Sequence, residues 1–251
     1  MIADSILGYA LDHEALYSLL ADLKPMSSIG FALSYPLGKD SLQFDGQHDV
    51  VNLNEESTQL SLDEVNSWDR ILNALSFENY QFLLIPFRQV WKGNRNMQIL
   101  ICRTDLLDKL LEKKAPFFAQ WGFVPGYDPA VVLTAVEFEE RNDRYRAYGY
   151  LFGYPEHAVD FFVDASIEYQ KTDEFVKRSF FNIPVFSDEK GYFTYALPED
   201  FIPIAKDSMI LKESALVLKE YQSIRPAYVN KEGKLEAIQL FRDWWKESIK
   251  N

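Results

Sequence analysis

The sequence predicts an α+β protein built from two tandem ferredoxin-like units, each β-α-β-β-α-β, that arose by internal duplication and are flanked by N- and C-terminal helices. Two observations predict it. Segments echo one another in the same order along the chain: "GFALSYP" (30–36) and "GYLFGYP" (149–155), "FLLIPF" (82–87) and "FFNIPVF" (180–186), each of the latter pair followed by Lys-Gly, then "DPAVV" (128–132) and "RPAYV" (225–229). The hydrophobic periods also alternate between two and 3.6 residues in an order that is the same in both halves. The units divide at 139/140, with residues 37–60 an insertion in the first copy.

A helix over about 12–23 precedes a strand at 28–35. Ser61 and Glu64 are spaced as a capping box ahead of Val65, Trp68, Leu72 and Leu75, which share one helical face, so the next helix is expected at 61–75. "YQFLLIPFRQVW" (80–91) and "MQILICR" (97–103), joined around Gly93-Asn94, read as a hairpin. Thr104 caps a helix carrying Leu106, Leu107, Leu110 and Leu111, which Pro116 breaks or restarts. The apolar run "AVVLTAVEF" (130–138) reads as the closing strand of the first unit.

The second unit opens with a strand at 144–154 and a helix from Pro155 to about 171. Strands at 179–186 and 191–197 surround the "SDEKG" turn. A helix over 207–222, a short strand at 226–229 and a last helix over 234–249, with Phe241, Trp244 and Trp245, complete the chain.

Composition narrows the function classes. A net charge of −12 repels a phosphate backbone and anionic membranes, so neither nucleic acid nor a membrane is an expected partner. The start lacks a signal-peptide pattern, no apolar window reaches the length of a span, and the one cysteine, Cys102, sits in an apolar run, which together favour a cytoplasmic protein. The 19 Phe and 14 Tyr favour large buried surfaces or a ligand pocket. Phosphate-loop, Cys-x-x-Cys, His-Glu-x-x-His and Gly-x-Ser-x-Gly motifs are all missing.

Two site readings follow. Strand alternation over 144–154 puts Arg144, Arg146, Tyr148, Tyr150 and Tyr154 on one face, a ligand-binding surface in which Arg forks a carboxylate and Tyr supplies amphipathic area. Its alternatives are a solvated face or an oligomer contact. At the strand-to-helix junction, Pro155 suits the first helical position, and Glu156 complements the helix dipole. His157 is a candidate base or ligand with Glu156 and Asp160 in support, because a helix N-terminus favours neutral imidazole. The ladder Glu156, Asp160, Asp164 and Glu168 reads as a solvated face. Asp45, His48 and Asp49 have metal-capable chemistry without a metal-site spacing, so no metal is expected.

The chain is therefore read as a binding or interaction protein with an aromatic and Arg-lined sheet surface or cleft, its partner a small molecule or a protein and a homo-oligomer compatible with either. The alternative is a small-molecule enzyme or cofactor-binding protein, haem being one example, with His157 as base or axial ligand. The cofactor and the choice between enzyme and binder stay open at this level.

Overall fold

β5 (Asn94–Arg103) carries an unbroken apolar run because both of its faces are covered. A computed structural model, which describes residues 2–39 and 49–248, places it at the centre of a three-stranded antiparallel sheet. β1 (Met26–Pro36) pairs on one side and β4 (Tyr80–Trp91) on the other. Ile99, Ile101 and Phe82 point to one face, whereas Leu100, Cys102 and Ile85 point to the other. Since β1 and β4 are each antiparallel to β5, they run parallel and are linked by helix α3 (Glu56–Leu75), a split β-α-β arrangement.

The first face packs on α1 (Ile2–Asp12), α2 (Leu16–Leu19) and α10 (Ala237–Ser248), in a core shared with hairpin β6 (Arg178–Val185)/β7 (Asp188–Pro198) and helix α9 (Ala205–Ile224). The second packs on α4 (Thr104–Lys113), α6 (Pro129–Phe138), α7 (Arg141–Leu151) and Val159 of α8 (Glu156–Thr172). Both cores draw side chains from before and after residue 139. The short α5 (Ala115–Phe118) restarts the chain at Pro116, and a two-residue ribbon pairs β2 (Gly38–Lys39) with β3 (Asp49–Val50). Among the described residues no helix is long and apolar enough to cross a membrane.

The mixed helix and antiparallel-sheet character is as expected, but three predicted strands are helical. Residues 130–138 form α6, because Asp128 accepts the amide of Ala130 at 2.8 Å and Pro129 occupies the first turn, a capping signal that outweighs the β-branched composition. Residues 144–154 form α7 and its exit. Ala147, Tyr150 and Leu151 are buried at helical spacing, and Gly153, at φ +74°, closes a Schellman motif in which Tyr154 N–H reaches Gly149 O at 2.9 Å and Gly153 N–H reaches Tyr150 O at 3.0 Å. Residues 226–229 lie mostly in a 3₁₀ turn over Arg225–Tyr228 with Pro226 near its start.

The echo "GFALSYP"/"GYLFGYP" thus spans a strand at 30–36 and a helix end at 149–155. The closing strand of the first unit and the opening and closing strands of the second are missing from the tandem β-α-β-β-α-β order. Two boundaries also move. The N-terminal helix starts at Ile2 and breaks after Asp12, where His13 bonds Tyr9 O at 2.8 Å and stacks on the Tyr9 ring. Helix α3 starts at Glu56, so Ser61 lies inside it and donates to Ser57 O at 2.8 Å instead of capping. Of Asp45, His48 and Asp49, the first two lie outside the described residues, while Asp49 pairs with Lys39.

Candidate functional site

Pro155 is the N-cap residue of α8, which puts Glu156 and His157 in the first turn as the sequence implies. Glu156 is paired with Lys114, whose ammonium also sits 4.5 Å above the Tyr150 ring. His157 stacks on Phe201 at 5.2 Å, and its Nε2 lies 3.1 Å from Oδ1 of Asp207 without hydrogen-bond direction. Asp207 is fully buried. It accepts the Tyr195 hydroxyl at 2.6 Å and the Ile204 amide at 2.8 Å, so its carboxylate ties the start of α9 to β7. Burial and the Asp207 carboxylate push the Tyr195 phenol well above its ordinary pKa. His157 is thereby a packed residue that bridges α8 to the start of α9. Asp160 is engaged elsewhere, by Arg146.

Of the five residues expected on one sheet face, four are distributed around helix α7 and Tyr154 lies beyond its end. Arg146 donates to Asp160 and, at 3.3 Å, to the Tyr150 hydroxyl, fastening α7 to α8. Arg144 donates to Glu137 O at 3.3 Å. Tyr148 donates to the buried carboxylate of Glu137, and burial together with this bond raises its pKa well above the ordinary value. Tyr150 meets Phe117 edge-on, and Tyr154 stacks toward Phe193 at 6.0 Å. Tyr148 and Tyr154 line a small aromatic cleft of about 270 Å³ with Tyr145, Phe152 and Phe180. Tyr150 and Tyr154 instead border a second cleft with His157. Arg144 and Arg146 line neither. The Arg-Tyr surface is therefore not a single site, because a 100° turn per residue separates side chains that strand alternation would align.

A larger concavity adjoins the first core. A groove of about 720 Å³ runs between α1, α3 and α10. Ile238, Phe241, Arg242 and Trp245 supply one wall, at the i, i+3, i+4, i+7 spacing of a single face of α10. Leu7, Phe82 and Phe241 form a buried floor, while Ile2, Ala74 and Arg242 stand exposed at the rim. Phe77 is fixed edge-on against Phe241 and Trp245 at 5.5 and 5.8 Å, and Tyr80 meets the same two rings at 5.1 and 5.8 Å. The aromatic wall is therefore pre-formed. Arg242 makes no hydrogen bond or ion pair among the described residues.

Neither a family model, a curated protein nor a solved structure matches this chain.

Chemically, the groove offers apolar area and one cation. No group of three or more metal-ligating side chains lies together among the described residues. Cys102 is buried, and burial pushes its thiol up to about 12, so it is held protonated. The sequence marked Phe241, Trp244 and Trp245 only as residues of a last helix. The i, i+4 pair Ile238/Arg242 was legible in principle, but the groove's other two walls, α1 and α3, are remote from α10 in sequence.

Proposed function

We propose that this protein is a non-catalytic binding protein for an amphipathic small molecule, an apolar body ending in an anion, held in the groove between α1, α3 and α10. The observation that carries the reading is the combination of volume and lining. About 720 Å³ falls within the range of small-molecule sites, the lining is almost wholly apolar, and the one charged lining residue is the cation Arg242. Each methylene seated there contributes about 0.8 kcal/mol, so the apolar body supplies the affinity and Arg242 the orientation. An enzyme built on His157 and Arg146 draws less support, because Arg146 is committed to Asp160 and the two residues do not line a common pocket.

Dodecanoate titrated into the protein, followed by Trp245 fluorescence and calorimetry, tests this. Binding is expected to be saturable and to be abolished by Ala74→Trp, which fills the groove from an exposed rim position. Arg242→Gln is expected to weaken dodecanoate by about 2–5-fold, the value of a solvent-exposed ion pair of roughly 0.5–1 kcal/mol, and to leave dodecanol unchanged. His157→Ala is expected to leave both unchanged. Dodecanoate binding that survives Ala74→Trp, or that His157→Ala removes, sinks the reading.

A further inference from the structure

On a chain of net charge −12, four lysines converge on one cleft of about 500 Å³. Lys109 and Lys113 stand one turn apart on α4, Lys114 follows directly, and Lys206 enters from the first turn of α9. Only two carboxylates line the same cleft, and each is already matched with a cation, Asp22 with Arg103 at 2.8 Å and Glu156 with Lys114. Lys113 and Lys206 are exposed and make no hydrogen bond or ion pair among the described residues. The first turn of α8 opens onto the cleft too, with Pro155 as an N-cap that has no side chain able to accept its free amides. Like charges gathered around one cleft repel one another, an arrangement that an anionic ligand relieves.

We infer that this cleft is a second ligand site, which takes a small soluble phosphorylated molecule. A single carboxylate cannot neutralise the surplus of lysines, whereas a phosphate ester or pyrophosphate brings two or more charges and several acceptor oxygens. Tyr150, Tyr154 and His157 border the same space and supply flat walls for the body of the molecule. The site is separate from the apolar groove and does not depend on it.

Inorganic pyrophosphate is the probe, titrated by calorimetry into the full-length wild-type protein, the Lys113→Glu/Lys206→Glu variant, and a control Lys212→Glu/Lys219→Glu variant that reverses two exposed lysines elsewhere on α9. Far-UV circular dichroism establishes that all three are folded. The expected result is saturable binding to wild type and control, weakened at least about tenfold in the cleft variant and eroded by added salt. Equal weakening in both variants would reduce the effect to net charge and overturn the site, as would no binding to wild type. Binding to phosphatidylcholine vesicles carrying phosphatidic acid, without binding to pyrophosphate, overturns it as well, because the phosphate recognised would then be lipid-borne.

Discussion

Replacing Glu14 with Gln is expected to be among the most damaging single changes to this protein. Lys24 is fully buried, and its ammonium lies 2.6 Å from Glu14 Oε2. The Phe193 and Phe152 rings sit 4.5 and 5.4 Å from the same nitrogen. Burial holds the Lys24 pKa below its ordinary value of 10.5, and the charge and hydrogen bond of Glu14 oppose that shift. Taking away one partner of a buried pair costs about 3–5 kcal/mol, since the remaining charge is left without compensation. The two rings offset part of this, which sets the expectation near the lower end, about 3 kcal/mol, or a fall of about 6–12 °C in Tm for a chain of this size. Between the folded pKa and 10.5 the unfolded chain holds a proton that the folded chain has released, so stability rises with pH through that window. Without Glu14 the folded pKa drops further and the window widens downward. Glu14→Gln should therefore recover stability as pH is raised from 7 toward 10, while the paired variant Glu14→Gln/Lys24→Met should lie within about 1 kcal/mol of wild type. Urea unfolding across that pH range reads all three. A Glu14→Gln loss under about 1 kcal/mol, or one that does not change with pH, would refute the reasoning.

Gly153→Ala is expected to cost about 3 kcal/mol or more, because the residue sits at φ +74° and an added Cβ would lie 2.4 Å from the backbone oxygen of Leu23. Gly122→Ala, at φ +79° with open space around it, isolates the backbone share at about 1 kcal/mol, and equal losses at the two positions would contradict the close approach. Asp12→Ala should cost about 2–3 kcal/mol in urea, since Asp12 accepts two bonds from Arg225, at 2.9 and 2.8 Å, and one from the buried Tyr221 hydroxyl at 2.6 Å. Burial favours the neutral form of Asp105, but the hydrogen bonds and charge of Arg103 prevail and hold its pKa below the ordinary carboxylate value. Its contribution is then present above about pH 4 and lost as pH falls through the folded pKa, so the stability gap between wild type and Asp105→Asn should close in acid titrations.

The sheet and both hairpins were legible because their signals are local. The alternation of "YQFLLIPF" and the turn at Gly93 need no knowledge of distant residues, and Ile99 and Leu100 face opposite layers as a period of two demands. At α6 and α7 the strand-like composition and the capping signals disagree, and the capping signals prevail. Val131, Val132 and the tyrosines of 145–154 favour strands as residues, yet Asp128-Pro129 starts one helix and Gly153 ends the other, and ends are set by backbone hydrogen bonding. The junction at 155–157 was placed correctly as a helix start, but His157's neighbours, Phe201 and Asp207, are long-range contacts that spacing does not reveal. The same holds for the lysine cleft, where Lys109 and Lys113 pair by spacing and Lys206 joins them only through the fold.

One consequence reaches back to synthesis on the ribosome. Helix α10 packs against α1, with the Ile238 amide on Asp4 Oδ1 at 3.1 Å, so residues near the two ends of the described chain complete one wall and one rim of the same groove. A nascent chain elongating at about 5–20 residues per second leaves the α10-facing side of α1 uncovered for on the order of ten to fifty seconds before its partner helix exists. During that interval Leu7 lacks its neighbours from α10, and the groove becomes competent to take a ligand only once translation has passed α10.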